Sequence, residues 1–228
     1  MSKTIDVLIP AFNEEKSIGH VIKDIPTFVR EIVVVNNRST DKTAEVAGSA
    51  GAHVILQEQM GYGSACLKGI EYIANKSNPP DILVFIDGDY SDYPEQISDI
   101  IKPIVENDID FVIGSRAIGE KESGAMMPQQ IFGNWLATSL MHVFYKAKFT
   151  DLGPFRAIKF DKLMALGMQD KNYGWTIEMQ IKAVKNNFTF VEVPVDYRVR
   201  IGTSKVSGTV KGTVMAGYKI LTSIFKYL

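Results

Sequence analysis

One cysteine, Cys66, in 228 residues leaves no internal disulfide framework and fits a reducing compartment. No stretch approaches the ~18 consecutive apolar residues of a membrane-spanning helix. The start, Met1-Ser2-Lys3-Thr4 followed at once by a strand-like run, has no apolar signal core. A cytoplasmic protein is expected, attached at most to the cytoplasmic face of a membrane. A charge imbalance is missing too: 25 basic against 26 acidic residues leave -1, so no nucleic-acid partner is expected. His20, His53 and His142 are scattered without metal-ligand spacing. Neither the six-position glycine fingerprint of dinucleotide folds nor a phosphate-loop lysine-serine pair occurs, which disfavours a Rossmann dehydrogenase or a P-loop enzyme.

Hydrophobic residues at 46% and charged ones at 22% are ordinary for a folded globule. The length suits one domain, residues 1–228. Apolar strand-like runs at 4–10, 31–35, 53–57, 82–86 and 110–114 alternate with helical patterns, and each run ends in a polar turn. Asn13 is a candidate cap for the first helix, which Pro26 stops, and Pro94 opens another. This alternation predicts an α/β fold with a mainly parallel central sheet, helices on both faces, and ligands at the carboxyl ends of the strands. Beyond a loop at 117–128 follow a helix near 129–146, a helix opened by Gly174-Trp175, and a strand from Phe190.

Val84-Phe85-Ile86-Asp87-Gly88-Asp89 runs an apolar strand directly into two carboxylates one residue apart. Such a pair can hold Mg2+ or Mn2+, hard cations that bridge to phosphate oxygens, although Asp-Gly is also an ordinary turn pair. Gly61-Tyr62-Gly63 is either a turn needing positive φ or a point of close approach to a nucleotide. Asn37 can pair with a base edge or serve the turn. Arg116, Arg200 and Lys205 follow strand ends and suit diphosphate charge. Glu178, behind Trp175 at a helix start, is a cap or a general base. No acid follows Asp196, so the tail is basic. Its last helix carries Val210, Val214, Tyr218, Leu221, Phe225 and Leu228 as a stripe. Packing on the sheet is the favoured reading of that stripe, and contact with a membrane surface the other.

Taken in order, these segments resemble the family 2 glycosyltransferases, in the branch similar to dolichyl-phosphate (polyprenyl-phosphate) mannose or glucose synthases. Pro10-Ala11-Phe12-Asn13-Glu14 is similar to that family's Pro-x-Tyr-Asn-Glu, and Asn36-Asn37-Arg38-Ser39-Thr40-Asp41 to its Asp-Asp-Gly-Ser-Thr-Asp turn. Asp87-Gly88-Asp89 resembles its metal motif and Gly114-Ser115-Arg116 its Gly-Ser-Arg. Asp151-Leu152-Gly153-Pro154-Phe155-Arg156, Glu192-Val193-Pro194-Val195 and Arg200-Ile201-Gly202-Thr203-Ser204-Lys205 follow in the family's order.

The resemblance implies a nucleotide-diphospho-sugar transferase (GT-A type) fold and inverting, metal-dependent transfer of a hexose from a UDP- or GDP-linked donor to a polyprenyl-phosphate carrier. Residues 1–116 would form the nucleotide-sugar half, 117–208 the acceptor half and 209–228 an amphipathic helix. Pro10, Phe12 and Glu14 would line the nucleotide pocket with Asn37 near the base, Asp87 would contact the nucleotide-sugar, Asp89 the metal, and Arg116, Arg200 and Lys205 the phosphates. The pattern departs at Asn37, where aspartate is usual, at Ser91, in place of a glutamine, and at Gln129-Gln130, in place of an arginine near the acceptor phosphate. A soluble hydroxyl acceptor is the alternative, with Glu178 or Asp151 as base. A nucleotidyltransferase and a non-catalytic sugar-nucleotide binding module are the competing classes.

Overall fold

The computed structural model describes residues 3–202 and 210–228. In chain order the elements are β1 (Ile5–Ala11), α1 (Ile18–Asp24), β2 (Glu31–Asn36), α2 (Thr43–Ser49), β3 (His53–Leu56), α3 (Tyr62–Ala74), β4 (Ile82–Phe85), α4 (Ile97–Asn107), β5 (Phe111–Ser115), α5 (Pro128–Tyr145), β6 (Arg156–Lys159), α6 (Phe160–Leu166), α7 (Trp175–Lys185), β7 (Phe190–Pro194) and α8 (Val210–Lys226). The strands form one sheet in the order β3-β2-β1-β4-β6-β5-β7. All pairings are parallel except those of β6, which runs antiparallel to both neighbours.

The strands lack polar alternation because the sheet is buried on both sides. Leu8, Val33, Val35, Leu83 and Phe85 point to one face, where α3, α6, α7 and α8 pack. Val7, Ile9, Val34 and Val84 point to the other, against α1 and α4. Both faces are therefore core, and the carboxyl ends of β1, β2, β4 and β5 open on one side.

Three local expectations are corrected. Strand β6 is not among the strands the sequence predicts, since Arg-Ala-Ile-Lys contains no apolar run. Its Arg156 is fully buried and donates to the carbonyls of Leu152, Gly153 and Thr176. Asn13 does not cap α1; it takes a left-handed conformation with φ 55, and Ser17 stands at the cap. Its amide oxygen instead accepts from Thr40 N at 2.8 Å, tying the β1 turn to the β2 turn.

The predicted stripe of α8 does not face the core. Val214 and Tyr218 are 63% and 65% exposed, and Phe225 and Leu228 are also outside. The opposite face packs inward through Ile220, Ile224 and Tyr227. Because apolar residues lie on both faces of α8, periodicity alone did not identify the inner one.

Candidate active site

The open strand ends and the start of α7 enclose a cleft of about 770 Å³ that reaches between α5 and α8. At its floor, Asp87 and Asp89 follow β4. Asp89 is buried; its Oδ1 accepts from Ser91 N at 2.9 Å, and its other oxygen is ion-paired with Arg200. Ile201 N donates to Asp89 O at 3.0 Å, so the Arg200 segment is stitched to the acid turn by backbone as well as by charge. Asp87 Oδ1 is enclosed and receives no hydrogen bond. Burial raises the Asp87 pKa, while Arg200, Tyr62 and Arg116 pull it down.

Arg116, after β5, lines the cleft, but its fork is committed. Nε and Nη2 donate to the two oxygens of Asp151 at 2.8 and 2.7 Å, and Arg116 N adds a third bond at 2.8 Å. Burial alone would raise the Asp151 pKa; the charge and hydrogen bonds of Arg116 override it and hold the carboxyl below its usual value. An ionised acid fastened in this way is a poor proton acceptor, and it does not line the cleft. The expectation of Asp151 as base is therefore corrected: it is the counter-ion that fixes Arg116.

Glu178 is likewise buried away from the cleft. Its carboxylate accepts from Gln169 N at 3.0 Å, Asp170 N at 2.7 Å and Tyr227 Oη at 2.9 Å, and pairs with Lys182 at 2.7 Å. With that many partners it anchors the loop before α7 to α8, acting neither as cap of its own helix nor as base. Trp175 does line the cleft, packed against Phe85 at 6.1 Å between ring centroids, with its Nε1 enclosed and unpartnered.

Pro10, Phe12, Glu14, Asn37, Gly61 and Gly88 form the end of the cleft beside β1 and β2. Gly61 has φ 137, and a Cβ there would lie 2.1 Å from Lys171 O, so the turn needs glycine for both conformation and space. Asn37 is buried with all its amide hydrogens used. Lys205 lies outside the described residues. Ser91, marked in the sequence only as standing in place of a glutamine, holds Asp89, and its neighbour Asp92 has no mark in the sequence at all. Burial, then the Asp87 charge, pushes the Asp92 carboxyl up to about 7. A lone acid after a turn carries no local mark of such burial.

From α5 and α8 comes an apolar wall that includes Phe132, Leu136, Ile220 and Leu221. On its outer rim Phe132 and Trp135 are 61% and 60% exposed and lie 5.8 Å apart between ring centroids. Gln129 and Gln130 sit at the same end. Among the described residues no helix is long and apolar enough to cross a membrane.

Residues 6–167 match the family described as Glycosyl transferase family 2. An uncharacterized glycosyltransferase of Mycobacterium tuberculosis is 31% identical over 216 residues, covering 93% of this chain and 94% of the relative. The undecaprenyl-phosphate mannosyltransferase of Micrococcus luteus is 27% identical over 218 residues, covering 90% and 88%. Among solved structures, glucosyl-3-phosphoglycerate synthase from Mycobacterium tuberculosis, in complex with Mn2+, UDP and glucosyl-3-phosphoglycerate, superposes with a TM-score of 0.80. That match has 21% identity and covers 99% of this chain and 80% of that one, which establishes a shared GT-A fold. A mixed, mostly parallel sheet with its polar residues gathered at the strand ends, a matching profile over most of the length and full-length relatives agree: the chain belongs to glycosyltransferase family 2.

Proposed function

We propose that the enzyme transfers a hexose, with inversion, from a UDP- or GDP-linked donor to a polyprenyl-phosphate carrier at the cytoplasmic face of a membrane. The observation that carries this reading is the continuity of the cleft: one space joins the acid pair after β4 to an apolar wall whose rim bears exposed aromatic residues. A polar floor suits a nucleotide-sugar. An apolar wall suits an isoprenoid chain, and an exposed apolar rim suits the surface from which such a chain is drawn. In this reading residues 1–116 hold the donor, 117–208 the acceptor, and 209–228 the membrane side.

Asp87 and Asp89 would hold Mg2+ or Mn2+. Both supply hard oxygens; the enclosed Asp87 Oδ1 is an acceptor without a partner, and Asp89 would exchange its Arg200 pair for the cation. No group of three or more His, Cys, Asp or Glu suited to a metal occurs among the described residues. The Mn2+ and UDP of the synthase complex support the same choice. When bound, the cation would offset charge developing on the departing nucleoside diphosphate.

The chain's own residues do the rest. Pro10, Phe12, Glu14, Gly61 and Gly88 shape the nucleotide end, and Arg116 and Arg200 bring positive charge to the phosphates, the role the sequence also proposes for Lys205. Trp175 closes the floor beside the sugar position. A phosphate acceptor is already ionised and needs no base, which agrees with Asp151 and Glu178 both being engaged elsewhere.

A soluble acceptor is the second reading. It is favoured by Gln129 and Gln130, which line the acceptor end without adding a cation, and by the phosphoglyceric acid bound in a complex of the fold neighbour. Incubation with labelled UDP- and GDP-hexoses, Mn2+ and either polyprenyl phosphate in detergent or an aqueous metabolite pool separates the two. Label should move to the organic phase; label confined to the aqueous phase supports the second reading.

A further inference from the structure

Asn37 follows β2, where the proposed donor's base would lie, and both hydrogens of its side-chain amide and one lone pair of its oxygen are enlisted within the protein. Nδ2 donates to Gln57 O at 3.0 Å and to Gln59 O at 2.8 Å, while Oδ1 accepts from Gly61 N at 2.8 Å. Asn37 is only 5% exposed. The same loop is gripped from its other side by Gln57, whose Nε2 reaches Ser64 O at 3.1 Å and Ser64 Oγ at 3.0 Å. Two carbonyls on one side and an N–H on the other fix which way the amide points.

We infer that Asn37 is a positioning residue that clasps the 57–61 loop into the wall of the base end, and that it does not select between uracil and guanine. An amide has two donor hydrogens, and both are used, so this side chain has nothing to offer a carbonyl of either base. What remains is one lone pair on Oδ1. Uracil and guanine each present a ring N–H that this lone pair could accept, so it gives no discrimination. A carboxylate would differ, since its two oxygens can receive the ring N–H and the exocyclic amino group of guanine together. At position 37 a carboxylate would also set its oxygens against the carbonyls of Gln57 and Gln59 and release the loop. Asparagine is thus demanded by the loop, and base preference lies with other residues.

This inference rests on the nucleotide-sugar reading for its base half and on the structure alone for the clasp. The test pairs two measurements: affinities of UDP and GDP in the presence of Mn2+ for the wild type and Asn37→Ala, and hydrogen exchange at the Gly61 amide. The substitution should weaken both nucleotides by the same factor, leaving their ratio unchanged within about twofold. The Gly61 amide should be protected in the wild type and exchange roughly 100-fold faster in the variant. A change in the UDP-to-GDP ratio of about tenfold or more would make Asn37 a base reader and overturn the inference. A wild-type Gly61 amide exchanging as fast as a free peptide would overturn the clasp, even if the variant failed to fold. Failure of the wild type to bind either nucleotide while Gly61 stays protected would overturn the donor reading and the base half with it, leaving the clasp intact.

Discussion

At the floor of the cleft the arginines and Asn37 are matched within the chain, while Asp87 Oδ1 and Trp175 Nε1 have no partner; the wall between α5 and α8 instead presents large apolar groups to solvent. Arg116 is forked onto Asp151, Arg200 is paired with Asp89, and Asn37 is clasped to its loop. On the outer sides of α5 and α8, Trp135 and Tyr218 are 60% and 65% exposed, and Phe144 meets Phe225 edge-on at 5.4 Å with both rings outside. The matched pairs hold the floor's charges in place without a ligand, and a cation on Asp89 with a diphosphate on Arg200 would exchange the Asp89–Arg200 pair for new partners of the same sign. An unmatched apolar rim has the opposite character and gains free energy only when something covers it.

The largest expected effect breaks the floor. Asp89→Ala should lower transfer by roughly 10³-fold, the scale associated with loss of a preorganised electrostatic group, with near-native circular dichroism. Unimpaired transfer in that variant would remove the proposed metal site. Next, Arg116→Ala leaves Asp151 buried without its counter-ion and should cost about 3 kcal/mol of stability in urea titrations. A surface arginine would cost well under 1 kcal/mol, so the size of the loss reports whether the pair is structural.

The wall should respond differently. Trp135→Ser combined with Tyr218→Ser should weaken binding to anionic lipid vesicles by about tenfold while leaving thermal stability nearly unchanged, because neither ring is buried. A stability loss without an effect on vesicles would make the rim part of the core. The smallest effect concerns pH. The folded-state pKa of Asp151 is lowered, so its contribution is present above its unfolded value of ~3.9 and is lost as pH falls through the lower folded value. Asp151→Asn should therefore be less stable at neutral pH and show a flatter decline below about pH 4.

The floor was largely readable from the sequence and the wall was not. Apolar runs ending in Asn36-Asn37, Asp87-Gly88-Asp89 and Ser115-Arg116 announce strand ends, and parallel topology brings such ends to one edge. Residue type did not disclose who pairs with whom. Asp151 and Arg116 are 35 positions apart and Arg200 is far from Asp89 in sequence, so commitment of these charges appears only in the fold. Glu178 reads as a cap because it lies in a helix's first turn, yet its partners are the preceding loop, Lys182 one turn on and Tyr227 just past α8. On α8, two apolar faces compete, and tertiary packing chose Ile224 and Tyr227 over the more regular stripe.

The most direct test of the division between floor and wall is the dependence of kcat/KM on acceptor tail length, measured with prenyl phosphates of increasing isoprene number in the wild type and in Phe132→Ser. If the wall holds an isoprenoid chain, kcat/KM should rise with each added unit until the cleft is filled, and Phe132→Ser should flatten that rise. A wild-type kcat/KM independent of tail length, with the donor still bound, would contradict the assignment of the wall to a lipid acceptor.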